Sequence, residues 1–268
     1  MKIRLGYDIS YFLPNPTPMV VMLSVHASRM GDLLEPDELK TTPQMPVHYY
    51  YDGFGNRCAR LMAPAGMLSL SARTSIFDSG RHDVVPTDAP QILVQDLPDE
   101  TIVYLLGSRY CETDKLSDIA WNLFGKTPLG WQRVQAILSF VHSHIKFDYM
   151  QARSTKSAFD VYQEKVGVCR DYAHLAAAFL RCMNIPTRYC TGYMGDIGVP
   201  RDANPDDFSA WLEVYLGGRW YTVDARHNKP RIGRILIARG RDASDVPLTN
   251  TFGAHVLKGF KVISEEIV

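Results

Sequence analysis

The hydrophobic pattern changes period partway along the chain. Residues 1 to about 95 carry short runs of β-branched and aromatic residues, such as Val20-Val21-Met22-Leu23-Ser24-Val25 and Val47-His48-Tyr49-Tyr50-Tyr51. Pro14, Pro16, Pro18, Pro43, Pro46 and the turn Asp52-Gly53-Phe54-Gly55-Asn56 punctuate them. Runs of this kind between turn signals predict strands, and several in succession predict a small β-sandwich. A Pro/Asp-rich passage, Val85 to Asp99, then marks the expected boundary. From Leu129 to Ile145 the apolar residues Trp131, Val134, Ile137, Leu138, Val141 and Ile145 have helical spacing. Thr127 before Pro128 reads as an N-cap with proline at the first helical position. A second helix is expected from near Cys169 to about Met183, where Ala173, Ala176, Ala177 and Ala178 allow close packing on a sheet. Helices followed by strands argue an α+β fold with an antiparallel sheet. The expected division is a β-rich unit over 1–95 and a second unit over 96–268.

The plainest local prediction is a hairpin. Phe208 to Leu216 and Arg219 to Asp224 flank Gly217-Gly218, a two-residue turn signal. That turn pairs Leu216 with Arg219, so one face carries Phe208, Ala210, Leu212, Val214, Leu216, Tyr221, Val223 and Ala225. The other face carries Ser209, Trp211, Glu213, Tyr215, Trp220, Thr222, Asp224 and Arg226. Ser209 and Asp224 become diagonal neighbours on it, roughly 7–8 Å apart at the backbone. One polar face of an antiparallel sheet is ordinary. Two tryptophans and a tyrosine on it fit a cleft wall or a second packing surface better than open solvent.

Composition narrows the function classes. Lys and Arg number 29, as do Asp and Glu, so no net field favours nucleic acid or an anionic membrane. The five cysteines show no CxxC pairing, so neither a disulfide framework nor a zinc site is indicated, and no cofactor is expected. The N-terminus lacks a signal-like apolar core before Asp8, and Pro18 to Val25 is far too short to span a bilayer. A cytoplasmic protein is expected, with no nucleic-acid or membrane partner; nothing in the sequence indicates the oligomeric state.

The chemistry concentrates at Gly167-Val168-Cys169-Arg170-Asp171-Tyr172-Ala173-His174. A thiol reacts as thiolate, and a helix N-terminus lowers its pKa through the dipole and unsatisfied N–H groups. Cys169 stands at such an end, with Arg170 adding a positive charge. The alternative is a buried structural cysteine, which most free cysteines are. Cys182 and Cys190 lie in apolar settings and read as core. Among histidines, His174 lies about 140° around the helix from Cys169 and faces away. His142 and His144 end the preceding helix. His227 follows Asp224 by three, where Pro230 is about to end the strand and a bend can present it beside the carboxylate. Arg226, Arg231, Arg234, Arg239 and Arg241 read as a solvated basic surface paired with Asp242 and Asp245.

Taken in order, Tyr51 to Asn56, Ser108-Arg109-Tyr110-Cys111, Gly167 to Asp171, Ile185-Pro186-Thr187-Arg188 and Ala210-Trp211-Leu212-Glu213-Val214 resemble the transglutaminase-like superfamily, in its bacterial branch with an N-terminal β domain. The resemblance implies a β-sandwich-like domain followed by a papain-like domain, and a Cys-His-Asp triad acting on amide carbonyls. Cys169 takes the nucleophile position and Asp224 that of the orienting carboxylate. The residue before Ala-Trp is usually the triad histidine; here it is Ser209. Two functions follow. One is a thiol enzyme, an amidase, peptidase or acyl-transfer enzyme on peptide or protein amides, with His227 as base and Trp211 and Arg170 in the cleft. The other is a non-catalytic member that binds a peptide or protein partner.

Overall fold

In the computed structural model, residues 1–201 and 206–267 are described. The first half holds β1 (Lys2–Leu13), β2 (Thr17–Val21), β3 (Lys40–Thr42), β4 (His48–Tyr51), β5 (Arg57–Ala63) and β6 (Gly66–Phe77). An irregular strap over 78–98 leads to α1 (Asp99–Ile102), α2 (Thr113–Phe124), α3 (Trp131–His144), β7 (Lys146–Phe147), α4 (Ala158–Glu164), β8 (Val166–Gly167) and α5 (Cys169–Cys182). Six more strands follow: β9 (Thr187–Met194), β10 (Phe208–Leu216), β11 (Arg219–Val223), β12 (Arg234–Gly240), β13 (Thr249–Thr251) and β14 (Val256–Ile267).

Three four-stranded antiparallel sheets result, in the orders β14-β1-β6-β3, β13-β2-β5-β4 and β11-β10-β9-β12. In the first, Ile3, Leu5, Tyr7, Ile9, Tyr11 and Leu13 of β1 alternate inward and meet Leu68, Leu70, Ala72 and Ile76 of β6 in one core. This is the period-2 pattern of a half-buried strand. The Tyr11 hydroxyl reaches Thr249 Oγ1 at 2.7 Å, linking the first sheet to the second. The fold is thus the mixed α and β architecture with antiparallel strands that the sequence predicts.

Two expectations are corrected. The unit expected over 96–268 does not run unbroken: β13 pairs with β2 and β14 with β1 along eleven residue pairs, so the last strands complete the sheets of the first half. Their backbones complete edges of those sheets, a long-range pairing that local periodicity does not report. The helix expected from Pro128 begins instead at Trp131, with Gly130 at its N-cap. Thr127 is engaged elsewhere: its hydroxyl donates to Phe124 O at 2.7 Å and accepts from Arg133 Nε at 3.1 Å. The strap takes the Trp131 N–H through Ala89 O at 3.2 Å.

The third sheet carries α5, whose residues from Asp171 to Cys182 are all buried. Ala210, Leu212, Val214 and Leu216 of β10 face the main core, whereas Trp211 packs with Cys190 and Leu236 in a cluster on the opposite face. The β10–β11 turn uses Gly217 and Gly218 at φ 54° and 87°, the positive pair that a twisted two-residue hairpin requires.

The Asp52–Asn56 turn fastens the first half to the third sheet. Asn56 is fully buried; its Nδ2 donates to Arg239 O at 2.8 Å and its Oδ1 accepts from Arg239 N at 2.8 Å. The side chain therefore substitutes for a neighbouring strand at the β12 edge, and Asp52 holds it at 2.9 Å. Asn56→Ala strands both backbone groups of Arg239 and is expected to cost about 1–3 kcal/mol, read as a lower urea midpoint at unchanged m-value.

Candidate active site

Cys169 is the first residue of α5 and is half-buried. Local sequence builds this start. Asp171 turns back so that its Oδ2 accepts from Val168 N at 2.9 Å, capping the helix. Gly167 is required beneath it, since a Cβ there would lie 2.7 Å from the Asp171 side chain.

The helix end does not make this thiol acidic. Burial pushes the Cys169 pKa above its ordinary value, and the Arg226 guanidinium and the backbone N–H groups of Ala210 and Arg170 only partly offset this. The magnitudes agree: a helix terminus is worth about 0.3–1 kcal/mol. That is less than one pKa unit at about 1.4 kcal/mol each. Desolvation of a buried group reaches several units. The expectation that the helix end and Arg170 lower the pKa is therefore corrected. Arg170 points elsewhere, with Nη2 donating to Arg153 O and the guanidinium over the Tyr110 ring at 5.7 Å. The positive charge acting on the sulfur is Arg226, two residues beyond Asp224, and the Asp207 carboxylate opposes it.

Asp224 is 6 % exposed and organises the segment after β11. Its Oδ1 accepts from Arg226 N at 2.8 Å and His227 N at 3.2 Å, and its backbone carbonyl from Asn228 N at 2.9 Å. An Asp accepting from the N–H two residues on is an Asx turn, which here ends strand alternation and swings His227 back. Asp224 Oδ2 then accepts from His227 Nδ1 at 2.9 Å and from Arg234 Nη2 at 2.8 Å. Burial raises the pKa of Asp224, but the charge of Arg234 and the bonds from His227 and Arg234 outweigh it, leaving a firmly ionised carboxylate.

His227 and Ser209 line the same polar pocket, together with Tyr149, Arg226, Arg231 and the aspartates 196, 206 and 207. Ser209 is buried at the start of β10, next to Ala210, whose N–H reaches the Cys169 sulfur. The other histidines weighed from sequence are engaged elsewhere. His142 Nδ1 meets Arg226 O at 2.8 Å, His144 Nε2 meets Tyr162 O at 2.8 Å, and His174 Nε2 accepts from Ala243 N at 3.2 Å. Trp211, expected in the cleft, is 3 % exposed inside the second packing face, under the Arg234 guanidinium at 5.3 Å. It packs beside Cys190 of β9 and Leu236 of β12 on that face of the sheet.

The supposed basic surface is partly interior. Arg231 is buried, and Arg234, whose side chain is 6 % exposed, bridges Asp83 at 3.0 Å and Asp224 at 2.8 Å. Only Arg241 pairs as expected, with Asp245 at 2.9 Å. Arg226 and Arg234 were thus the site residues that composition concealed. The signal for Arg226 lay in Asp224-Ala225-Arg226-His227-Asn228, a turn sequence whose donors must face its own aspartate. No group of three or more potential metal ligands occurs among the described residues, nor a helix long and apolar enough to cross a membrane.

Residues 119–225, which include the cysteine helix and the hairpin, match the model of the transglutaminase-like superfamily. A solved protein of Cytophaga hutchinsonii, there proposed to be a cysteine protease, is 31% identical and superimposes with a TM-score of 0.86, covering 99% of this chain and 90% of that one. The chain belongs to the transglutaminase-like superfamily. An uncharacterized protein of Mycobacterium leprae is 31% identical over 127 residues, which is 45% of each chain. Human kyphoscoliosis peptidase is 29% identical over 119 residues, or 41% of this chain and 18% of that protein. The matched stretch therefore spans less than half of these curated relatives.

His174 provides a pH test of the packing behind the cysteine. It is fully buried between Tyr110, stacked at 5.0 Å, and Tyr189 at 5.1 Å, and burial pushes its pKa well below the ordinary 6.5. Below pH about 6.5 the unfolded chain takes up a proton that the folded imidazole refuses, so stability falls by up to about 1.4 kcal/mol per pH unit. Urea midpoints at pH 6.5 and 4.5 are expected to fall more in the natural protein than in His174→Gln, which keeps an acceptor and loses the titration.

Proposed function

We propose that the chain is a thiol enzyme of its superfamily that attacks amide carbonyls through Cys169, with the Asp224–His227 pair supplying the base absent at Ser209. The observation that carries this reading is the 2.9 Å bond from His227 Nδ1 to a buried, ionised Asp224, on an imidazole that lines the pocket with Ser209. Orientation by a carboxylate is what an imidazole needs to act as a general base.

The chemistry follows from the raised thiol. Cys169 is protonated at neutral pH, so the imidazole takes the proton as sulfur bonds to the carbonyl carbon. The Arg226 charge and the N–H groups at the head of α5 favour the anionic sulfur and the oxyanion. Collapse breaks the C–N bond, the imidazolium returns the proton to the departing amine, and a thioester remains. Water then gives hydrolysis, and an amine gives acyl transfer. The substrate class is a peptide or protein amide. The compartment we propose is the cytoplasm, which five free cysteines support.

A second reading is favoured by one observation: the triad position before Ala210-Trp211 holds Ser209, which cannot move a proton. The protein would then bind a peptide or partner protein without turnover. Amide hydrolysis on a peptide library separates the two. Under the first reading Cys169→Ala abolishes turnover, and His227→Gln lowers kcat/KM by roughly 10²–10⁴-fold. Equal activity in the natural protein and Cys169→Ala overturns it. If turnover appears only in Ser209→His, the natural chain lacks a base and the binding reading stands.

A further inference from the structure

The strap over 78–98 meets the segment leading into β12 at Asp83. Asp83 N donates to Arg231 O at 2.9 Å, and Arg231 N returns a bond to Asp83 Oδ2 at 3.0 Å. The same oxygen accepts from Arg234 Nε at 3.0 Å. Arg234 in turn gives Nη2 to Asp224 Oδ2 at 2.8 Å, the very oxygen that holds His227 Nδ1. Four groups are thus linked in one file, Asp83, Arg234, Asp224 and His227. The side chains of Arg234 and Asp224 are 6 % and 4 % exposed, and that of Asp83 is 17 %.

We propose that Asp83 and Arg234 are positioning residues for the Asp224–His227 pair, so that a segment outside the matched superfamily core sets the basicity of the imidazole. This rests on the reading of His227 as the base. The physical argument is competition for one oxygen. Arg234 and His227 both donate to Asp224 Oδ2, so a full positive charge on Arg234 weakens the hold of that carboxylate on an imidazolium. Asp83 draws the opposite end of the guanidinium and neutralises part of that charge. Little water is present to screen the file, which makes each charge count for more than it would at the surface. Other charges also face His227: Arg226 and Arg231 from its own segment, the aspartates 196, 206 and 207 from beyond β9, and the Tyr149 hydroxyl after β7. None of these is bonded to Asp224 Oδ2 by its side chain in the way Arg234 is, so the file acts on the imidazole through a contact the others lack.

The two substitutions have opposite signs. Asp83→Asn removes a negative charge, leaves Arg234 less neutralised, and makes His227 harder to protonate. Arg234→Gln removes the positive charge, leaves two carboxylates facing the imidazole, and makes His227 easier to protonate. In the full chain, titration of the His227 ring by heteronuclear NMR is expected to move down in the first variant and up in the second, by about half a unit or more each. The acid limb of the kcat/KM profile moves with it. Asp83→Asn is nearly isosteric and gives the answer alone if Arg234→Gln does not fold, and Arg234→Lys, which keeps the charge, is expected to restore the natural titration in part. A His227 titration that is unmoved in Asp83→Asn, or that moves the same way in both variants, overturns the proposal, because a purely structural brace lowers the melting temperature without ordering the shifts. The base reading fails separately: if His227→Gln keeps full activity while the titration shifts appear as stated, the file exists but does not serve catalysis.

Discussion

The site depends on one buried carboxylate that must satisfy several donors at once. Asp224 folds the backbone after β11 with one oxygen and collects an imidazole and a guanidinium with the other. An ionised carboxylate this deep is tolerated because a positive partner and several N–H groups surround it. The same bonds that make it tolerable determine where His227 stands. Take the carboxylate away, and the turn loses its organising acceptor, Arg234 keeps Asp83 but loses its second carboxylate, and the imidazole loses the bond that fixes its tautomer. Structure and chemistry at this end of the third sheet are therefore a single construction.

The cysteine is governed by a different balance. Its placement at the head of α5, with Gly167 and Asp171 shaping the entry, is the arrangement expected of a thiolate site. Yet withdrawal of the sulfur from water counts for more than the helix end, and the thiol rests protonated. Under the proposed thiol chemistry, a protonated sulfur makes the supply of a base the deciding question. Ser209, on β10, offers no imidazole to the pocket, and the Asx turn brings His227 to it from a different element.

Much of this was legible in the residues. The hairpin register, the cysteine helix and the bend that returns His227 toward Asp224 all follow from local rules about glycine pairs, helical spacing and turn chemistry. What escaped was every feature decided by distant chain. Arg231 and Arg234 look like surface charges until a carboxylate from the strap arrives to pair one of them. Trp211 sits on an alternating face and looks like a cleft residue until Cys190 and Leu236 of the same sheet pack beside it. The acidity of Cys169 depends on what lies above the sulfur, which spacing does not encode. The pairing of β14 with β1 was not legible because the two strands stand at opposite ends of the chain.

The pairing of β1 with β14 has a consequence for biogenesis. Residues such as Lys2 and Ile267 face each other across the first sheet, although the ribosome makes one of them some 250 residues before the other. Until the later strand emerges, a long apolar ribbon stands with one flank unpaired, the condition under which nascent chains recruit wrong partners. The early half must wait, shielded, for sequence that is translated after the entire cysteine-bearing region. Closure of this seam is therefore among the last events open to the chain as it is made, and it joins the two ends of the sequence in one ladder.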